Sequence, residues 1–429
     1  MDDVRKAAVA SKEASYRLQS IPGNIRNKAL EAIADMLSLR RRIIVSANEK
    51  DLAEANMSGL SQVLLKRLKY DDAKIDESLD SIWSLVKQED VVGKVISRTE
   101  LDAGLVLEKV TCPIGVIGVV FESRPEALVQ ISSLCIKSGN AVLLKGGSEA
   151  KNTNEALAAA INDAIVRIDE RFTNAVQLLS TREEFQRLLQ QDDKVDLIIP
   201  RGSNQLVRSI QNSTRIPVLG HAAGVCHTYV DNDADMDMAV RVCYDAKVQY
   251  PAVCNAMETL LVHEGIAGDI LPKMAEAFSK AKVVLRGDAA VRRVIKADAV
   301  VDDDWSTEYN DLILSIKVVE SIEEAIEHIN TYGSHHTDAI ITSDPSKAKL
   351  FQDQVDSASV MWNCSTRFAD GYRYGLGAEV GISTNKTHAR GPVGLEGLAI
   401  YKYRLNGSGH IVADYVGPNA KKYTHRKLR

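Results

Sequence analysis

The first ninety residues carry apolar positions at helical spacing. Leu30, Ile33 and Leu37 recur at intervals of three or four residues, and Ile43 and Ile44 continue the pattern. Such spacing places apolar side chains on one face of a helix. The pattern therefore predicts helices over residues 2–90.

Two extended apolar runs follow, one on each side of a polar turn. Residues 95–96 precede the turn at residues 102–104, and residues 105–107 follow it. This arrangement predicts a β-hairpin over residues 95–112. A hairpin alone is only marginally stable in water, so this one needs a surface to pack against.

From Pro113 onward, short continuous apolar runs alternate with segments of helical spacing. Strands are predicted at residues 116–120, 141–144, 197–199, 259–262, 315–319 and 339–341. Helices are predicted at residues 126–137, 154–166, 203–211 and 234–246. Strands that are apolar along their whole length are typical of parallel sheets covered by helices on both faces. The sequence thus predicts an α/β protein with two doubly wound domains.

Composition narrows the class of protein. The 429 residues exceed one ordinary domain, and 45% hydrophobic with 26% charged residues is typical of a globular protein. The formal net charge of -5 argues against a nucleic-acid partner. No apolar run reaches the length of about 18 residues that a membrane span needs, and the N-terminus lacks the apolar stretch of a signal peptide. A cytoplasmic protein with no membrane partner is expected.

Cysteine usage and histidine spacing bear on metal binding. The six cysteines form no CxxC pair, so free thiols in a reducing compartment are expected. His221, Cys226 and His227 lie close together in the chain, but their spacing matches no zinc-site pattern. We therefore predict no metal site.

The segment around Cys254 is the strongest candidate for chemistry. Cys254 lies between Ala252 and Ala256, just before a predicted strand. Small neighbours let an acyl group approach a thiol, and the backbone amide of the cysteine can stabilise an oxyanion beside it. On these residues alone, a small buried hydrophobic cysteine stays the alternative.

Further motifs extend in order along nearly the whole chain. They are VTCPIGV at 110–116, FESRP at 121–125, LKGGSEA at 144–150, IPRGSN at 199–204, PVLGH at 217–221, YPAVCNAMET at 250–259, GSHHTDA at 333–339, NCSTRF at 363–368 and the segment 375–394 with HARGP at 388–392. Together they make the chain similar to the gamma-glutamyl phosphate reductases (glutamate-5-semialdehyde dehydrogenases) of the aldehyde dehydrogenase superfamily. The likeness is greatest to the reductase half of the fused delta-1-pyrroline-5-carboxylate synthases. Their amino-kinase half is absent here, which leaves a stand-alone enzyme or an excised domain.

The resemblance implies a fold and a division into domains. The fold is aldehyde dehydrogenase-like, with two doubly wound α/β domains plus an oligomerisation hairpin. Residues 1–94 and 113–230 would form an NADPH-binding Rossmann-like domain, and residues 231–397 a catalytic domain. Residues 95–112 and 398–429 would be oligomerisation elements, with the strand at 398–405 pairing with the hairpin to bridge subunits. A homodimer or homotetramer is expected.

The resemblance also implies a reaction. L-Glutamyl 5-phosphate and NADPH would give L-glutamate 5-semialdehyde, NADP and phosphate, the second step of proline synthesis. Cys254 would form a thioester by displacing phosphate, and the cofactor would supply a hydride. Residues 220–224 contain no carboxylate to serve as the hydrolytic base of generic aldehyde dehydrogenases, which suits a thioester that must meet hydride and not water.

Five residues are implied at the cofactor. Lys145 would contact the adenosine ribose, and Ser148 replaces the carboxylate by which NAD-preferring relatives repel the 2'-phosphate. Gly202 and Ser203 would offer the pyrophosphate a helix N-terminus. Glu308 would bind the nicotinamide ribose, with a surface charge as its alternative.

The remaining implied residues contact the substrate. Arg124 would stabilise the substrate phosphate or the developing oxyanion; its alternative is an ion pair with Glu122 or Glu126. The amino and carboxylate groups of the substrate would meet residues Asn363, Ser365, Thr366 and Arg367. For Arg367 an ion pair with Asp370 or Glu379 stays open. His388 and Arg390 belong to the motif, with no role deduced.

Two other functions and several partners stay open. The chain is alternatively another aldehyde dehydrogenase, acting on a simple aldehyde, or a non-catalytic assembly subunit of the same fold. A glutamate 5-kinase partner, or a kinase domain fused to the chain, would supply the substrate. For an excised domain of an animal-type fused synthase, the location would be mitochondrial.

Overall fold

The computed structural model describes residues 3–221 and 223–428. Residues 1, 2, 222 and 429, which the predicted ranges include, lie outside the described residues. The helices are α1 Asp3–Leu18, α2 Gly23–Leu39, α3 Arg41–Met57, α4 Gln62–Leu68, α5 Asp72–Lys87, α6 Pro125–Ser138, α7 Lys151–Ile168, α8 Arg182–Leu188, α9 Asn204–Gln211, α10 Met236–Val248, α11 Glu264–Lys280, α12 Ala289–Val294, α13 Ile322–Tyr332 and α14 Pro345–Gln354.

The strands form separate sheets. They are β1 Val95–Asp102, β2 Leu105–Pro113, β3 Val116–Phe121, β4 Ala141–Lys145, β5 Val176–Leu179, β6 Leu197–Arg201, β7 Cys226–Val230, β8 Met257–His263, β9 Val284–Gly287, β10 Asp298–Ala299, β11 Ile313–Val319, β12 Thr337–Ile341, β13 Ser359–Trp362, β14 Ile382–Ser383, β15 Gly391–Pro392, β16 Ala399–Asn406 and β17 Arg426–Leu428. All of the predicted strands and helices are confirmed, with bounds that differ by a few residues.

The first sheet is parallel, in the order β5-β4-β3-β6. The side chains of β3 are buried along the whole strand because helices cover both faces. Leu30, Ile33 and Leu37 of α2 are completely buried in this core, as their spacing predicts. Ile44 joins them, whereas Ile43 faces outward with 63% exposure. The N-terminal helices therefore belong to the first domain.

The second sheet has the order β10-β9-β11-β8-β7-β12-β13 and is also parallel. Its strand β7 lies upstream of the predicted boundary at residue 230, yet it pairs with β8 and β12. The second domain thus begins before that boundary. In the other direction, Val380, Val393 and Leu395 come from the range predicted as catalytic but pack in the core of the first domain. The segment around them crosses between the two domains.

The third sheet is antiparallel, in the order β16-β2-β1-β17. The hairpin β1–β2 is confirmed, and β16 pairs with β2 from Ala399 opposite Pro113 to Asn406 opposite Val106. The predicted pairing of this C-terminal strand with the hairpin is confirmed and occurs within one chain, whereas the bridging of subunits by these elements stays a prediction. Strand β2 is therefore occupied on both edges. None of the described helices has the length and apolarity to cross a membrane.

Candidate active site

Cys254 lies in the turn between α10 and β8, with its side chain partly exposed. A hydrogen bond stabilises this turn, because the thiol of Cys226 donates to the carbonyl of Cys254 at 3.2 Å. Gly224 packs directly on its backbone: a Cβ at this position would lie 2.1 Å from the carbonyl oxygen and 2.5 Å from the Cα of Cys254. Only glycine fits there, so residue 224 fixes the place of the thiol.

Two histidines accompany the thiol. The ligand atoms of Cys254, His221 and His336 all lie within 4.8 Å of one another, and the imidazole centroids are 4.9 Å apart in an edge-to-face arrangement. The Nδ1 atom of His221 is 2.9 Å from the carbonyl of Ile382, so it carries the proton, and Nε2 keeps its lone pair. Burial lowers the pKa of His221, which holds the ring neutral. A neutral imidazole beside a thiol can accept its proton.

Two arginines near Cys254 lie at or just after the carboxyl ends of strands β3 and β6. Phe121 at the end of β3 pairs with Arg201 at the end of β6, and Arg124 follows three residues after that strand end. Burial lowers the pKa of Arg201, while the nearby Glu379 carboxylate and Cys254 thiol raise it. Within residues 3–221 and 223–428, neither Arg124 nor Arg201 makes a side-chain hydrogen bond or ion pair, so the predicted alternative of a pair with Glu122 or Glu126 is not formed. Both guanidinium groups are free for an anion.

Two of the four residues predicted at the substrate amino acid, Thr366 and Arg367, hold the loop of Cys254. The Arg367 guanidinium donates to Gln249 at 3.0 Å and to the Asn255 side chain. The Thr366 hydroxyl donates to the Asn255 carbonyl at 2.7 Å. The described residues include no ion pair from Arg367 to Asp370 or Glu379. Arg367 is thus already bonded to neutral partners beside the nucleophile.

The other two of these residues have local partners. The Asn363 side chain exchanges hydrogen bonds with the backbone of Thr342 at 3.0 Å on both the amide and carbonyl sides, with its own backbone at φ 55°. The Ser365 hydroxyl accepts from the Arg367 amide at 3.3 Å. Because these groups are engaged, their direct contact with substrate stays a prediction.

Three of the five residues predicted at the cofactor, Gly202, Ser203 and Glu308, lie at the N-terminus of α9. The Ser203 amide donates to the Glu122 carboxylate at 3.2 Å, so an anion already occupies the place predicted for a pyrophosphate. Gly202 lets that carboxylate approach, since a Cβ there would lie 2.7 Å from its Oε2. Glu308 accepts from Asn204 at 2.8 Å, which joins α9 to the second domain. This geometry fits a dinucleotide phosphate once the exposed Glu122 withdraws.

Lys145 and Ser148 lie at and just after the end of strand β4, which β3 separates from β6 in the sheet. The Lys145 ammonium donates to the Gly146 carbonyl at 2.5 Å, and burial lowers the pKa of this lysine. It has no ion pair with any described carboxylate. Ser148 is exposed at the start of the turn that follows. The lysine is therefore available to a ribose or phosphate oxygen.

His221, His336, Arg201 and Gly224 were not predicted as active-site residues. A signal existed for Arg201, because it ends a parallel strand as Lys145 does and so points to the same sheet edge. The local sequence around His336 carries no such signal, because only the pairing of β12 with β7 brings this residue near Cys254. His388 donates to or accepts from the Gly397 carbonyl at 3.0 Å, and Arg390 pairs with Asp356 at 3.1 Å. These last two support the C-terminal loop.

Comparison with known proteins gives one consistent picture. The sequence profile of the aldehyde dehydrogenase family matches residues 1–293. The chain is 57% identical over 426 residues to the gamma-glutamyl phosphate reductase of Pelotomaculum thermopropionicum, which covers 99% of this chain and 98% of the relative. It is 55% identical over 425 residues to that of Acetivibrio thermocellus, with 99% and 98% covered. The crystal structure of gamma-glutamyl phosphate reductase from Thermotoga maritima superposes with a TM-score of 0.93 at 39% identity, covering 96% of this chain and 100% of that one.

Proposed function

Since the chain belongs to the aldehyde dehydrogenase family, and within it to the gamma-glutamyl phosphate reductases, we propose that it reduces L-glutamyl 5-phosphate to L-glutamate 5-semialdehyde with NADPH. It thus acts as an NADP-dependent glutamate-5-semialdehyde dehydrogenase, in the second step of proline biosynthesis. The observation that carries this proposal is a partly exposed thiol, Cys254, near the neutral His221 and near Arg124 and Arg201, which have no ion-pair partner among the described residues.

The first chemical step is attack of Cys254 on the acyl phosphate. The thiol proton passes to the Nε2 atom of His221 or His336, and the sulfur bonds to the carbonyl carbon. The carbon–oxygen bond to phosphate breaks, and phosphate leaves as an anion. Arg124 and Arg201 stabilise the charge that develops on it, because a guanidinium pairs with two phosphate oxygens at once.

The second step turns the thioester into an aldehyde. When bound, NADPH supplies the hydride that adds to the thioester carbonyl. The backbone amide of Cys254 stabilises the resulting oxyanion. Its collapse returns the sulfur to Cys254 as a thiolate, which takes back the proton held by the imidazole. The sequence of residues 220–224 contains no carboxylate that could direct water at the thioester.

The reverse reaction tests the function directly. Purified protein is incubated with glutamate 5-semialdehyde and NADP, and NADPH formation is followed with and without phosphate. We expect NADPH to form only when phosphate is present, since phosphate is the acceptor of the acyl group. An enzyme for simple aldehydes would oxidise propionaldehyde and would not need phosphate, and a non-catalytic subunit would form no NADPH in any of these mixtures.

Replacing Arg124 by lysine should lower kcat about 100-fold, the usual effect of losing one group that stabilises the transition-state charge. Lysine keeps the charge but lacks the two-pronged donor geometry. The control is Arg98→Lys, because Arg98 pairs with Glu108 in the hairpin sheet. The steady-state rate of both variants is measured under saturating substrate. An unchanged rate for R124K would remove Arg124 from the site.

Replacing Ser148 by glutamate should shift the preference from NADPH towards NADH. A carboxylate at this position would repel the 2'-phosphate of NADPH. If the repulsion costs ~1.4 kcal/mol, the ratio of kcat/KM for NADPH to kcat/KM for NADH falls tenfold. Ser148→Gln is the matched control, since it has the same size without the charge. If S148E and S148Q show the same ratio, the 2'-phosphate does not lie beside residue 148.

The third sheet supports assembly into at least a homodimer. Its strand β16 exposes large apolar side chains, among them Tyr403 at 61% and Leu405 at 56%, and exposed apolar patches of this kind mark association surfaces. Sedimentation velocity at micromolar concentration should give a species larger than one chain; a monomer would contradict this.

A glutamate kinase, separate or fused to the chain, must supply the unstable acyl phosphate, and the cytoplasm is the proposed location.

A further inference from the structure

The proposed reaction uses one imidazole as a proton acceptor, whereas two imidazoles lie beside the thiol of Cys254. We propose that Cys254, His221 and His336 form a binding site for a borderline-soft divalent cation such as Zn²⁺, which reversibly blocks the nucleophile. Occupation of the site rests on geometry alone. The loss of activity rests in addition on the proposed function, because it requires Cys254 to be the nucleophile.

The three ligand atoms are slightly farther apart than in an occupied zinc site, so small shifts would let them bind one ion. The three ligand atoms lie within 4.8 Å of one another, whereas Zn–S and Zn–N bonds of about 2.0–2.3 Å place tetrahedral ligands roughly 3.4–3.7 Å apart. Shifts of about 1 Å bring them together. His221 and Cys254 are outside regular secondary structure and partly exposed, so they can make these shifts, while His336 is fixed in the interior.

The lone pairs point to metal ligation. His221 uses Nδ1 for the Ile382 carbonyl at 2.9 Å, and His336 has Nδ1 at 2.9 Å from the Thr337 hydroxyl. In His336 the Cys226 sulfur also lies 3.7 Å from Nδ1. Nδ1 of each ring is thus engaged, and Nε2 is the atom left for a cation in the tautomer whose Nδ1 donates. A hydrogen bond from the other ring nitrogen to a carbonyl or hydroxyl is the usual support of a metal-bound histidine.

An independent observation comes from the interior of the protein. His336 is completely buried, and its Nε2 atom has no hydrogen-bond partner among the described residues. A buried polar atom without a partner carries a free-energy cost, and a cation would remove it.

The donor set selects the class of cation. One sulfur and two nitrogens with an open fourth position suit Zn²⁺, Co²⁺ or Cd²⁺ and not Mg²⁺ or Ca²⁺, which need oxygen ligands. The surrounding charge is mixed, since Glu308 and Glu379 lie near His221 together with Arg201. Arg124 and Arg367 add positive charge near the thiol, so the site depends on its donor atoms and not on an excess of negative charge.

Cobalt(II) is the probe that tests the site, because a thiolate ligand gives bound Co²⁺ a charge-transfer absorption that nitrogen and oxygen ligands do not. Full-length protein freed of metal by a chelator is titrated with Co²⁺, and Zn²⁺ is then added in competition. We expect one Co²⁺ per chain with the thiolate band, loss of the band in Cys254→Ser, and displacement by Zn²⁺.

Histidine variants assign the other ligands. His221→Asn and His336→Asn each keep an amide donor near the place of Nδ1 and remove Nε2. Each should weaken binding by at least about 10–100-fold, the loss that an outer-shell partner alone already causes. His335→Asn is the control, because His335 lies next to His336 at φ 59°, a conformation asparagine tolerates, and it should bind Co²⁺ like the wild type.

Activity is a separate readout. Zn²⁺ should inhibit phosphate-dependent semialdehyde oxidation, and a chelator should restore it. Absence of the thiolate band in the wild type, or equal weakening in His335→Asn and the two ligand variants, would overturn the metal site while leaving the reductase function intact. Cobalt binding with the thiolate band in a protein that does not act on the semialdehyde would confirm the site and overturn the proposed function instead.

Discussion

Replacement of Cys254 by alanine is expected to lower the rate of semialdehyde oxidation at least about 1,000-fold, since a covalent route has no substitute for its nucleophile. The turn that carries the thiol should stay folded, because its contacts come from the backbone. Cys226 donates to the carbonyl of residue 254, and Thr366 to that of residue 255. The rate is measured by phosphate-dependent NADPH formation, and cofactor binding by fluorescence quenching.

Cys112→Ala is the matched control for this variant. Cys112 is a partly exposed free thiol like Cys254, but it lies in β2 of the third sheet, and burial raises its pKa. It should keep wild-type activity, and iodoacetamide should inactivate wild type and C112A equally. A C254A protein that binds NADP and oxidises the semialdehyde at a wild-type rate would overturn the thioester mechanism.

The fold could be predicted wherever strands are apolar along their length. The sequence does not predict strands β5 and β9, because each has only four residues and a polar residue, Gln177 or Arg286, interrupts its apolar run. The long helix α11 escaped because Gly265, Gly268 and Pro272 interrupt its helical propensity. In all three cases packing against the sheet overrides a weak local signal.

The site could be predicted only where the local sequence carries the information. Cys254 has small neighbours before a strand, and Lys145 ends a strand, so a local pattern predicts both. His336 reaches the thiol through the neighbouring positions of β7 and β12, which no local pattern encodes. The side chains of Asn363 and Thr366 bond to backbone groups of loops distant in sequence, which no local pattern predicts; their contact with the substrate stays a prediction.

Replacement of Gly224 by alanine is expected to lower kcat about 100-fold, because a displacement of roughly 1 Å at a reacting group costs that much. The new Cβ would lie 2.1 Å from the Cys254 carbonyl oxygen, and contacts below 3.0 Å are essentially never seen. One of the two backbones must therefore move by about 0.9 Å. Residue 224 leads directly into β7, whereas Cys254 lies in a turn, so we expect the nucleophile to move.

Gly220→Ala separates this clash from a general intolerance of the segment. A Cβ at Gly220 would meet the side chain of Pro200 at 3.4 Å, an ordinary contact, and G220A should keep near wild-type kcat. Thermal unfolding of both variants shows whether each is folded, and the rate of iodoacetamide labelling at Cys254 reports the thiol itself. A folded G224A protein with unchanged kcat and unchanged labelling would mean that the thiol is not held in place by residue 224, because the predicted clash has to displace one of the two backbones.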